Sequence, residues 1–138
     1  VAVVCGILSG TLASLTGIFV LCMLFGFNHQ QYVTMLPKSI TTAIGIGISE
    51  ELGGIVTITV AVIIITGILG NVIADTVFHI FKIKNPLAKG LALGTASHAI
   101  GTARAIEMGP VEGAMSSLAV AVAGLLTVVF VSGFAQLI

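Results

Sequence analysis

Charge is what this chain has least of. Asp, Glu, Lys and Arg together make 7% of its 138 residues, against about 25% in soluble domains. Water cannot solvate such a surface, and lipid can. The five basic and five acidic residues cancel, so no basic patch offers itself to phosphate and a nucleic-acid partner is excluded. Trp is absent and Tyr occurs once, leaving Phe for the membrane-interface positions. The two cysteines, Cys5 and Cys22, lie in one apolar run, with no spacing for a metal site and no disulfide geometry. The three His and five acids form no metal-ligand cluster. No glycine-rich stretch ends in the Lys-Ser/Thr of a phosphate loop. No nucleophile, base and acid fall into a triad. Composition therefore predicts an integral membrane protein that is not an enzyme, with no cofactor and no metal.

What is present is apolar length. Residues 1–27, 52–74 and 113–138 carry no charged side chain, and each run exceeds the roughly 20 residues needed to cross a bilayer. Transmembrane helices are expected near 2–27, 54–81 and 112–136, in one membrane domain covering 1–138. The first run is too long for a cleavable signal peptide and lacks a basic n-region. It starts at Val1 without a Met, which leaves room for residues upstream.

Two segments between the spans are neither loops nor ordinary spanning helices. Residues 36–53 and 86–110 each open near a Pro and a Lys. Each is rich in Gly, Ser and Thr, and each closes on acidic residues and Gly. Glycine costs about 1 kcal/mol in a helix interior, so both segments read as broken, discontinuous or re-entrant helices, with Gly45, Gly47, Gly94 and Gly101 as the breaks. The two also resemble each other. Thr42–Gly54 aligned with His98–Pro110 shares Ala43/Ala99, Ile44/Ile100, Gly45/Gly101, Glu51/Glu107 and Gly53/Gly109. A polar, broken segment occurring twice between spans is how transporters build a solute site at mid-depth. Whether the two copies are inverted or parallel stays open at this level.

The polar residues of these segments are the candidate site. His98 titrates near neutral pH and can carry a proton or meet an anion; alternatively it donates to a carbonyl freed by the break. Arg104 suits a carboxylate, or pairs with Glu107 three residues on. Thr41, Thr42, Thr95, Ser97 and Thr102 supply hydroxyls, and the N-terminus of a half-helix supplies N–H groups and partial positive charge. Together these would cradle a small carboxylate. Glu51, Glu107 and Asp75 are candidates for coupling or ion pairing. Glu50 and Glu112 fit helix capping, and Asn71, Asp75 and His79 form one polar stripe. Lys82, Lys84 and Lys89 mark a cytoplasmic turn by the positive-inside rule, with Phe78 and Phe81 as interfacial anchors.

The run Ile83-Lys-Asn-Pro-Leu-Ala-Lys-Gly-Leu-Ala-Leu-Gly-Thr-Ala-Ser-His98-Ala-Ile-Gly-Thr-Ala-Arg104-Ala-Ile-Glu107 resembles the signature of the LrgB/CidB family. Leu36–Thr42 and Glu112–Ala119 resemble two further blocks of it. The likeness covers essentially the whole chain and corresponds to the C-terminal part of a longer family pattern. That pattern has a Pro after the Thr pair and a Glu four residues later, where this chain has Ala43 and Gly47. The resemblance implies two functions. One is transport of small monocarboxylates of the pyruvate, lactate or glycolate type, as in a chloroplast glycolate/glycerate translocator and pyruvate carriers. The other is antiholin-like regulation of murein hydrolase export and autolysis. It implies a small LrgA/CidA-type membrane partner, and the expected setting is the cell membrane, multi-pass, as a homo-oligomer. The polar broken segments favour transport.

Overall fold

The computed structural model describes residues 1–138 as six helices: α1 (Ala2–Phe25), α2 (His29–Met35), α3 (Thr42–Glu51), α4 (Val56–Ile80), α5 (Pro86–Met108) and α6 (Pro110–Ala135). Helices α1, α4 and α6 are long and apolar enough to cross a membrane. They match the three expected spans to within two residues at every boundary. At about 1.5 Å per residue, the 25 residues of α4 cover about 37 Å, more than the about 30 Å hydrocarbon core.

Inter-helix contacts give each segment a direction, measured against α4 running from its Val56 end to its Ile80 end. On α1, Gly6 lies against Leu91 and Gly10 against Thr95; further on, Ser14 meets Ser39 and Phe19 stacks edge-on with Tyr32. On α6, Gly90 packs at Glu112 and Gly94 at Ser116 and Ala119. At its far end, Phe134 and Ile138 carbonyls accept from the Tyr32 hydroxyl (2.8 Å) and His29 Nδ1 (2.7 Å). Both helices therefore run from the Ile80 end to the Val56 end, opposite to α4.

The first intervening segment turns back on itself. An αL Gly26 ends α1, and a reciprocal Asn28/Gln31 capping box starts α2 at the Val56 end. There Gln30 Nε2 reaches Gly53 O, and Thr34 Oγ1 accepts from Ile55 N at 2.8 Å. The Thr59 hydroxyl donates to Thr34 O (2.9 Å) and to Ser49 Oγ (2.8 Å), tying α2, α3 and α4 at one level. Helix α2 enters from the Val56 end, the chain reverses over 36–41 just past Pro37, and α3 returns, with Gly45 packed on Ile63.

The second segment turns back from the other side. Helix α5 is interrupted at His98 (φ 43°, ψ −138°), which separates residues 86–97 (α5a) from 99–108 (α5b). Along α4, α5a pairs Lys89 with Phe78 and Ser97 with Gly70. The other half, α5b, pairs Ile100 with Asn71 and Arg104 with Asp75. A Cβ at Gly101 would lie 2.9 Å from Leu93 O. Eight residues of straight helix would separate those two by about 12 Å, so α5 is a hairpin with its tip at His98.

Hairpin α2–α3 thus enters from the Val56 end and hairpin α5a–α5b from the Ile80 end. A long helix followed by a hairpin occurs twice, with opposite sense, which is an inverted repeat. Both hairpins resume through glycine, Gly53–Gly54 and Gly109, into long helices α4 and α6.

Gly45, Gly94 and Gly101 serve packing rather than breaking, and Gly47 is exposed with nothing packed against it. Helix α3 runs unbroken through Gly45 and Gly47, and Gly94 and Gly101 are helical on either side of His98. Gly45, Gly94 and Gly101 are buried where another helix comes close, and small residues are what let membrane helices approach. The reversals fall instead after Pro37 and at His98. Glu50 also departs from expectation. It sits in the last turn of α3, five residues before the Ile55 N-cap of α4, and Thr34 takes the N–H of Ile55 instead. Glu112 does lie in the first turn of α6.

Candidate functional site

The hairpin tips reach the level of Ile63–Gly70, near the middle of α4. Backbone freed there must be satisfied by protein, because lipid offers no hydrogen bonds. At the second tip Thr102 Oγ1 donates to the His98 carbonyl at 2.9 Å and shares a 2.8 Å hydrogen bond with Ser116 Oγ of α6. His98 itself is buried, and its Nε2–H donates to Ile63 O of α4 at 2.9 Å. Its ring lies against Gly67, where a Cβ would meet Cε1 at 2.7 Å. His98 therefore pins the tip to α4, and the carbonyl it serves belongs to α4 rather than to the break.

The first tip carries a cation. Lys38, half-buried, extends its ammonium to Ser39 Oγ (2.7 Å) and Ser14 Oγ (3.4 Å), and the two serine hydroxyls bond each other at 2.9 Å. No carboxylate pairs with it; both ion pairs of the molecule use Arg104. Helix α3 starts beside it at Thr42, behind a Thr41 N-cap whose hydroxyl makes no capping bond. The first-turn N–H groups there keep their partial positive charge.

Lys38, Ser39, Ser14 and Thr95 form the polar end of a groove of about 810 Å³ between α1 and α5a. Its walls are small or apolar (Gly6, Gly10, Ala13, Leu91, Ala92 and Ala96), and its other end is bounded by Ala2 and Asn85. The groove therefore runs from the Ile80 end of the bundle to the tip of the opposite hairpin. The arrangement offers one positive charge and several hydroxyls at the bottom of an apolar-walled path.

The expected site residues divide accordingly. Thr95 lines the groove, although its hydroxyl also donates to Leu91 O at 2.8 Å. Thr41 and Thr42 sit at the start of α3 beside the first tip. Thr102 and His98 hold the second tip together. Ser97 is buried against Gly70 of α4. Arg104 is not brought to the tips: it lies down α5b, where it pairs with Asp75 and, at 2.7 Å, with Glu107. Asn71 Nδ2 donates to Ile100 O at 3.0 Å, so Asn71 and Asp75 of the polar stripe dock α5b onto α4. Glu51 is exposed at the end of α3. Lys38, Ser39 and Ser14 were missed as site residues. The signal that points to them is a lone lysine after Pro37 in a segment otherwise free of charge until Glu50.

The LrgB-like family profile matches residues 1–137. The chain is similar to "Antiholin-like protein LrgB" of Bacillus subtilis (strain 168), 40% identical over 136 residues, which is 99% of this chain and 59% of that protein. The proteins of the same name from Bacillus cereus (strain B4264) and Bacillus anthracis (strain CDC 684 / NRRL 3495) are each 42% identical over 128 residues, covering 93% of this chain and 56% of theirs. The chain thus spans somewhat more than half the length of these relatives. No solved structure matches it. The chain belongs to the LrgB-like family and is a multi-pass membrane protein.

Proposed function

We propose that this LrgB-like chain carries small monocarboxylates of the pyruvate, lactate or glycolate type across the membrane, acting as a homo-oligomer with a small LrgA/CidA-type partner. The observation that carries the reading is the Lys38 ammonium. It stands at the first hairpin tip without an acidic partner, at one end of an open groove whose other end lies at Ala2 and Asn85. A charge held in a low-dielectric place is costly unless something pairs with it. A carboxylate is the ligand that removes the cost, taking Lys38 and the hydroxyls of Ser14 and Ser39, with the start of α3 adding partial positive charge. One ammonium balances one negative charge, which favours monoanions over dicarboxylates. His98 and Thr102 act by holding the second tip, whose position sets the width of the groove beside Thr95. Inverted hairpins pivoting about such a point support alternating access.

A second reading, antiholin-like regulation of murein hydrolase export and autolysis, is favoured by the names of the Bacillus relatives. The two separate by experiment. Labelled pyruvate, lactate or glycolate flux is measured in proteoliposomes, with and without the partner, for wild type and Lys38→Met. A carrier shows saturable flux that the variant loses. A regulator acting through partner contacts shows no flux, and its control of lysis is indifferent to Lys38→Met.

A further inference from the structure

The turn between α4 and α5 holds Lys82 and Lys84, and the start of α5a adds Lys89; none of the three is paired with an acid. With His79 and Asp75 they line a groove of about 560 Å³ at the Ile80 end of the bundle. The carboxylate of Asp75 is already taken by Arg104 of α5b, so the groove keeps its positive charge. Two of its features are fixed by the fold. Lys82 adopts a left-handed conformation (φ 54°), which sets the turn. Lys89 stands over the Phe78 ring, 5.9 Å from its centroid, a cation–π arrangement that holds the ammonium at the groove.

Phe78 also belongs to a second, narrow trench of about 140 Å³ between α4 and α5a. That trench is almost wholly apolar, floored by Ala74, Ala92 and Ala96 and reaching Gly70. From Phe78 to Gly70 is eight residues, about 12 Å along α4 toward mid-membrane. A cationic mouth thus opens at one end of an apolar slot, between the same two helices and across the same aromatic ring. Exposed Ile80 and Phe81 flank the mouth.

We propose that this paired groove is a binding site for an anionic phospholipid of the cytoplasmic leaflet, with its phosphate among Lys82, Lys84 and Lys89 and one acyl chain along the α4–α5a trench. The slot decides the source of the phosphate. A free phosphate or glycerol phosphate would use the lysines and leave the trench idle, whereas a lipid fills both. The three lysines as a group also satisfy the positive-inside rule, but that rule requires neither a concave mouth nor an adjoining slot.

Native mass spectrometry of the full-length protein, delipidated in detergent, tests this against dioleoylphosphatidylglycerol, dioleoylphosphatidylcholine and glycerol 3-phosphate. Phosphatidylglycerol is expected to bind in preference to phosphatidylcholine, and glycerol 3-phosphate to bind at neither comparable concentration nor stoichiometry. Each lysine near a charged surface is worth about fivefold in affinity. The triple variant Lys82→Gln, Lys84→Gln, Lys89→Gln should therefore weaken phosphatidylglycerol about 100-fold, while the triple Lys→Arg variant keeps it. Equal binding of the two lipids, unchanged binding by the Gln variant, or glycerol 3-phosphate binding as tightly as the lipid would each overturn the proposal. The lipid preference of the wild type and of the Arg variant decides the matter even if the Gln variant fails to fold.

Discussion

Replacing Lys38 by Met separates a functional cation from a structural one. Met keeps most of the side-chain length and apolar bulk and removes the charge. In the folded protein the ammonium bonds only to Ser39 Oγ (2.7 Å) and Ser14 Oγ (3.4 Å), and those hydroxyls still bond each other at 2.9 Å once it is gone. No acid is orphaned, because no acid pairs with Lys38. Removing an unpaired, half-buried charge therefore leaves stability unchanged or raises it. Ligand binding behaves in the opposite way. Truncating one partner of a buried, hydrogen-bonded charge pair costs about 2 kcal/mol or more, which is about 30-fold or more in affinity. In proteoliposomes, Lys38→Met should require at least about 30-fold more monocarboxylate for half-maximal flux. Its thermal unfolding in detergent should match or exceed that of the wild type. Saturable wild-type flux in Lys38→Met, or loss of flux only together with loss of folding, would refute the assignment.

Arg104→Gln should leave carboxylate flux near the wild-type level, because Arg104 serves Asp75 and Glu107 rather than the tips; flux measured beside Lys38→Met checks this. His98 occupies a backbone region that costs a non-glycine residue of order 1–3 kcal/mol. His98→Ala loses the bond to Ile63 O and keeps the strain, whereas His98→Gly loses the bond and sheds it. Of the two, the Gly variant should unfold the more reluctantly, by about 1 kcal/mol, in a denaturant titration in detergent. Gly94→Ala would set a methyl 2.7 Å from the Ala119 Cβ and against the Ser116 carbonyl. Overpacking of this kind costs about 1–3 kcal/mol, read as a lower unfolding midpoint.

Much of this architecture is legible in the sequence, because lipid imposes simple rules. Charge-free runs of sufficient length had to be spans, and α1, α4 and α6 begin and end within two residues of where hydropathy places them. The polar segments between them were recognisable as unsuited to either water or lipid. The exact position of each reversal was not. Glycine was the natural suspect, but whether a glycine breaks a helix or lets a neighbour approach depends on what packs there. Gly94 faces α6 and Gly45 faces Ile63, and neither contact is visible locally. His98 takes the strained conformation at the tip because Ile63 O, Thr102 and Ser116 hold it there. Direction was equally hidden. Eight residues separate Leu93 from Gly101 whether the helix is straight or folded back, and only the contacts of α5b with Asn71 and Asp75 distinguish the two. That Arg104 is paired and Lys38 is not was hidden for the same reason. A guanidinium three residues from an acid can serve a ligand or a neighbour, and here Asp75, twenty-nine residues away in the chain, takes its other arm.

The inverted hairpins are the premise on which Lys38, the groove and the lipid slot all depend, and the sidedness of Glu107 tests them most directly. With Cys5→Ser and Cys22→Ser as background, a single cysteine at Lys84→Cys, Glu107→Cys or Glu51→Cys is labelled with a membrane-impermeant maleimide in intact cells and in inverted vesicles. A folded-back α5 puts positions 84 and 107 on the same, cytoplasmic side and position 51 on the other. A straight α5 crossing the bilayer would put 107 with 51, and that result would contradict the fold and the site built on it.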